Sequence, residues 1–246
     1  MAWYSEPEVW SAAASVLAIG LSQLPPVRLW FKRSRVSIML RNQAALKASV
    51  NGPLVQFVMR VENSGGKPVR VDRISMGVKR DGQHLMELDA QGYFETFTAQ
   101  AAVMFHPFRL NPDTDWTHTV NFFPALSRDD DRAYRREKSA LTADIHAKAA
   151  TRLPGSTELV YADKSVYAPL KRRFDRNFIW DQGDYELTIS VWVKGSVVVS
   201  QERYRLVIFE SDRDELAAAG AKMAYGEGVM FEPKEYAGLL IALAPA

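Results

Sequence analysis

From Tyr185 to Val193 the side chains alternate without a break. Tyr185, Leu187, Ile189, Val191 and Val193 fall on one face, and Glu186, Thr188, Ser190 and Trp192 on the other. A period of two marks a half-buried β-strand, because successive side chains leave an extended backbone on opposite sides. A helix built from the same residues would scatter the apolar set around its circumference. Lys194-Gly195 can turn the chain, and a second strand, roughly Val197 to Phe209, returns with Tyr204, Leu206 and Ile208 inward. The chain built around this hairpin reads as mainly β and antiparallel.

The 246 residues allow one large domain or two small ones, and 47% hydrophobic with 24% charged residues is the composition of an ordinary folded protein. A net charge of +2 points to no nucleic acid. The absence of cysteine excludes disulfides, thiolate metal sites and cysteine nucleophiles. The 12 prolines and 14 glycines supply turns for many short strands.

Val9 to Val27 carries no charge. A helix from Trp10 to Trp30 would be about 30 Å long, the thickness of a hydrocarbon core. Trp3, Tyr4 and Trp10 precede it and Trp30 and Phe31 follow, like two aromatic belts, although Pro25-Pro26 should kink or end the regular helix. Three roles fit the stretch: a single-span membrane anchor, a helix buried in a protein interface, or a cleaved signal peptide. Glu6 and Glu8 lie before the run and Arg28, Lys32, Arg33 and Arg35 after it, the reverse of a signal peptide. For an anchor, that asymmetry leaves the large domain in the cytoplasm. The same four basic residues are placed to meet anionic lipid. Ser11, Ser15, Ala18 and Ser22 line one face at spacings that let two membrane helices approach closely.

The following residues read as short strands. Val36–Leu40 comes first, and then Leu54–Val61 alternates with Val55, Phe57, Met59 and Val61 on one face. The inward parity changes between Val69, Val71 and Ile74, Met76, Val78, as a bulge or a switch of sheets would require. Asp81-Gly82 signals a hairpin into His84–Leu88. Further strands are expected near Tyr93–Thr98, Val103–Leu110 and Trp116–Phe123. The expected division is an N-terminal anchor over 1–35, a sandwich over 36–210 and a helix with an apolar tail over 211–246.

Asp181, Gly183 and Tyr185, spelling Asp-x-Gly-x-Tyr, resemble the tyrosine corner of immunoglobulin-like sandwiches. In those folds a strand-opening tyrosine bonds back to the backbone just upstream, so its ring is buried without an orphaned hydroxyl. Leu187 stands where antibody domains carry a cysteine. Asn63, Gly65, Pro68 and Val69 match an N-x-G-x-x-P-V segment that bridges two early strands. With the apolar N-terminus, these residues resemble small bacterial membrane-anchored proteins whose soluble part is an Ig-like sandwich. The resemblance implies fold and placement, and no reaction or functional residues.

Between Phe123 and Asp181 the strand pattern stops, giving a helical insertion over 124–180. A helix over Ser127–Thr151 is expected, capped by Ser127, with Asp129, Asp130 and Asp131 in its first turn and an apolar stripe of Tyr134, Leu141, Ile145 and Ala149. The three aspartates suit a solvated helix start or a hard-metal site. Lys171, Arg172 and Arg173 form a basic cluster that suits lipid headgroups, an acidic partner or plain solvation. A second helix is expected from Ser211, capped through Asp214, and the tail Ala237–Ala244 is too short to span a bilayer.

No zinc-protease, nucleophile-elbow, phosphate-loop or dinucleotide motif is present. His118 reads as a hydrogen-bonded core residue. The sequence therefore calls for no cofactor, no metal, no small-molecule substrate and no catalytic set. The expected function is a non-catalytic module tethered to the membrane through the N-terminal helix, with its sandwich at the cytoplasmic face binding a protein partner or its own copies. The alternative is a soluble structural subunit with that helix buried in a protein interface.

Overall fold

The computed structural model describes Ser15, Ala18 and residues 35–153, 157–193, 197–232 and 238–246. The described fold is mainly β, antiparallel and consistent with a β-sandwich. The chain leads in through β1 (Val36–Leu40) and β2 (Gln43–Ser49), which pair in turn along one edge of the long β3 (Gly52–Asn63). The other edge of β3 pairs with β9 (Thr114–Phe123), and β9 with the second half of β6 (Gln83–Phe94). The first half of β6 pairs with β5 (Arg73–Arg80), β5 with β10 (Gly183–Val193), and β10 with β11 (Val197–Ile208).

The final segment joins the two ends of this path. β12 (Leu239–Ala242) pairs with β2, and β13 (Ala244–Pro245) pairs with β11. Between them Leu243 N–H donates to the Asn42 carbonyl at 2.8 Å, so the sheet closes on itself through the tail. The end of the chain, expected as an apolar tail at Ala237–Ala244, contributes two strands to the sheet. Its alternation places Ile241 and Leu243 inward and buried, with Leu240 exposed.

Alternation decides the core. Val55, Phe57, Met59 and Val61 of β3, Val120 and Phe122 of β9, Ile74, Met76 and Val78 of β5, and Leu187, Ile189 and Val191 of β10 all point inward. The parity change after Val71 is a switch of sheets. β4 (Val69–Val71) pairs with β8 (Phe108–Leu110) in a separate two-stranded sheet, and Asp72 N–H donates to the Trp192 carbonyl as the chain crosses into β5. Asp81 (φ 50°) and Gly82 (φ 80°) make the two-residue turn between β5 and β6, both in the left-handed region that a type I′ hairpin needs. Strands expected separately at His84–Leu88 and near Tyr93 are one strand, β6. A bulge between Ala90 and Gly92 resets its parity, which hides its continuity in the sequence. Gly92 is required there, because a Cβ would sit 2.9 Å from the Val103 carbonyl of β7 (Val103–Met104).

The insertion supplies α1 (Arg128–Ala150) and α2 (Lys164–Asn177), and β11 leads into α3 (Glu210–Lys222). Ser127 caps α1 as expected, accepting from Asp130 N–H at 3.1 Å. The α3 cap lies two residues earlier than expected: Asp212, not Asp214, accepts the N–H of Phe209 at 2.9 Å. Leu141, Ile145, Leu170, Phe174, Met223 and Val229 form a second core under Val50 at the β2–β3 turn. Ala149, expected on the apolar stripe, is exposed.

The body is therefore polar in the spatial sense. β3, β9 and β11 all run from or toward the same helical end, while Arg35, Asn63 and Thr114 lie together at the other. The twelve residues of β3 separate these ends by about 40 Å.

Closure through the tail gives the first prediction. Leu243→Ala should destabilise the chain by about 2–4 kcal/mol in urea unfolding, as expected for a buried leucine. A tail merely lying on the surface would give a shift within about 0.5 kcal/mol.

Candidate functional site

Asp181, Gly183 and Tyr185 come together as one corner. The Tyr185 ring is 1% exposed, packed beside Trp180 at 5.6 Å between ring centres. Its hydroxyl lies 2.7 Å from the Ile179 carbonyl and 2.8 Å from that of Asp181, so one proton is shared between two acceptors. Asp181 receives the Arg80 guanidinium at 2.6 Å, and Asp184 N–H donates to the Asp81 carboxylate at 3.0 Å. Burial pushes the Tyr185 phenol up to about 12, against a smaller opposing effect of Arg80. Trp180 was not singled out in the sequence. It is fully buried, and its Nε1–H donates to the Lys47 carbonyl at 3.1 Å, tying the end of the insertion to β2.

Asn63 holds the opposite end. Its side-chain amide reaches the carbonyls of Lys67 (2.9 Å), Leu110 (3.2 Å) and Asn111 (3.2 Å), and its oxygen accepts from Gly65 N–H. The role of this segment is to fix a loop. Close by, His118 Nδ1 lies 3.0 Å from the Phe94 carbonyl within an aromatic group of Tyr93, Trp116 and His118.

The basic cluster does not form one surface. Lys171, Arg172 and Arg173 are successive residues of α2 and leave it about 100° apart. Arg173 turns inward, is 7% exposed, and meets Glu137 at 3.0 Å and Asp130 at 3.6 Å on α1. It is an internal tie between two helices and not a lipid or partner contact. Its position beside the buried Leu170 and Phe174, at helical spacing, is the signal that places it inward. Lys171 pairs with Asp175 and Arg172 is exposed. The Ser127 hydroxyl first, and then Arg173, hold the Asp130 carboxyl below the usual range. Lys148 sits between Asp163 at 2.6 Å and Asp144 at 2.9 Å and locks the start of α2 to α1. Among the described residues, no group of three or more His, Asp or Glu is placed to hold a metal ion.

Of the N-terminal residues expected to pack in a membrane, Ser15 and Ala18 are helical and exposed. Trp10, Ser11, Ser22 and Trp30, with the basic Arg28, Lys32 and Arg33, lie outside the described residues. Arg35 is exposed at the end where β1 begins. Among the described residues no helix is long and apolar enough to cross a membrane.

The three helices form a cap at one end of the sheet. α2 packs against both α1 and α3 and so lies between them. α3 approaches α2 closely at Gly220, where a Cβ would come within 2.7 Å of the Phe174 ring. The Tyr167 hydroxyl donates to the Gly220 carbonyl at 3.2 Å. The outer faces of α1 and α3 remain exposed. Along its length α1 holds six basic and five acidic side chains, and α3 two basic and four acidic.

No family model matches the chain, and no curated protein matches it. Among solved structures, the chain is similar to the CARDB domain of a Pyrococcus furiosus protein in complex with di-metal ions. That similarity has 13% identity and a TM-score of 0.24, over 74% of this chain and 93% of that one. At this level nothing of that domain's metal binding is carried to the residues described above.

Two outcomes are expected. Tyr185→Phe should lower stability by about 1–3 kcal/mol at neutral pH, through the lost bond and the carbonyls left unpaired. The Tyr185 value lies above the ordinary 10, so its stabilising share is complete below pH 10 and disappears as pH rises toward about 12. The difference between wild type and variant in denaturant titrations should therefore shrink across that window. Gly220→Ala is expected to destabilise by about 1–3 kcal/mol through overpacking against Phe174. This is opposite in sign to the gain of about 1 kcal/mol that helix propensity alone would give.

Proposed function

We propose that this chain is a non-catalytic, membrane-tethered interaction module built on an immunoglobulin-like sandwich at the cytoplasmic face. In this reading it binds a protein partner or its own copies. The spatial polarity of the fold carries the reading. The apolar N-terminal run and its basic flank lead into the body at Arg35, and the charged helical cap stands about 40 Å away at the far end of β3. A tether at one end and a helical surface at the other suit a module that presents that surface away from a bilayer.

The strand order supports the immunoglobulin-like part. β2-β3-β9-β6 followed by β5-β10-β11 runs in the order A-B-E-D and C-F-G of that fold, with Tyr185 at the start of the F position and its hydroxyl bonded just upstream. Here β6 passes from one group into the other and the tail closes the remaining gap.

The test is extraction. Membranes from cells making the full chain, washed with alkaline carbonate, should retain it, and protease added to intact cells should leave the body uncut. Release by carbonate would refute the tether and favour a helix buried in a protein interface. Digestion from outside would reverse the orientation.

A further inference from the structure

We infer that the helical cap is a self-association surface, in which the basic outer face of α1 meets the acidic outer face of α3 in a second copy of this chain. The inference rests on the reading of the chain as an interaction module and names the partner. Arg173, buried between α1 and α2, takes Glu137 at 3.0 Å and the half-exposed Asp130 at 3.6 Å as its partners on α1. The arginines of α1 are left on the outside: Arg128, Arg132 and Arg136 recur every four residues along one exposed stripe. Asp131 turns to Arg135 at 2.9 Å, and Asp129 reaches Arg132 only at 4.0 Å. Among the described residues Arg128 and Arg136 have no ion pair.

α3 shows the reverse pattern. It buries Leu216 and Gly220 and exposes Glu210, Asp214 and Glu215. Asp214 is held by Arg213 at 2.8 Å, while Glu210 and Glu215 have no ion pair among the described residues. Beyond the charges both stripes turn small. Ser139, Ala140, Ala143 and Ala147 continue the α1 face, and Ala218 and Ala221 the α3 face, all exposed. Two helices laid side by side in parallel would thus set arginine against glutamate in their first halves and alanine against alanine in their second. Small residues there let the backbones come close. An anionic bilayer would satisfy the arginines alone. It would leave the acidic α3 face on the same cap repelled, and the cap lies at the end of the body away from Arg35.

The test uses the full chain, purified in one neutral detergent, with self-association followed by energy transfer between labelled copies on dilution. The chain has no cysteine, so a single introduced cysteine gives a defined label. Arg128→Glu with Arg136→Glu should weaken association about tenfold or more, and Glu210→Arg with Glu215→Arg should do the same, because like charges then face each other. Mixing the two reversed chains should restore association between them while each alone stays dissociated. Restoration cannot come from a misfolded variant. A mixture no tighter than its components, reversed variants as tight as wild type, or a wild type that does not associate would each overturn the inference. Loss of binding to phosphatidylserine vesicles in the arginine variant, with association unchanged, would likewise overturn it in favour of a lipid surface. The mixing result is read in detergent and does not depend on the carbonate wash, so failure of the tether and failure of the pairing are separable.

Discussion

The closure of the sheet by its own tail is the constraint on which the rest of the body depends. An open antiparallel sheet of this size would leave two edges, each a row of unpaired backbone groups. Here six paired residues, four before Leu243 and two after it, cover part of the β2 edge on one side and part of the β11 edge on the other. Because β2 and β11 come from opposite ends of the domain's sequence, closure also fixes the first strands relative to the last. The inward side chains of both then share one core. Ile241 and Leu243 supply the apolar part of that joint, and the backbone bonds supply its register.

The helical cap depends on that frame in turn. α1 and α2 are inserted between β9 and β10, and α3 follows β11, so all three leave from the same end of the sheet. Trp180 and Asn177 bond to carbonyls in and beside the β2–β3 turn, and Gly220 lets α3 close on Phe174. A buried arginine is costly unless paired and bonded. Arg173 meets that requirement by pairing with two carboxylates of α1, while Arg128 and Arg136 on the outer side of that helix have no ion pair among the described residues.

Function in such a module is a matter of which surface is presented and to what. The body has a lead-in end built around the Asn63 loop and a cap end built from helices, and their separation is set by strand length. In the proposed reading, tethering and recognition belong to opposite ends of the body.

Much of the fold was legible in the sequence where its signal is local. The alternation in β3 and β10, the Asp-Gly turn, the Ser127 cap and the tyrosine corner each depend on residues a few positions apart. The change of parity after Val71 was legible too, as a bulge or a switch of sheets, and the tertiary structure decided for the switch. The continuity of β6 was hidden by a bulge, since one extra residue inverts every later side chain. Three things were decided only by tertiary structure, because each depends on partners far away in the chain. Residues 239–245 became strands only because β2 and β11 both offered edges. Arg173 became an internal tie only because α1 brought Glu137 and Asp130 to it. α1 and α3 became two flanks of one helical cap only because α2 packs between them.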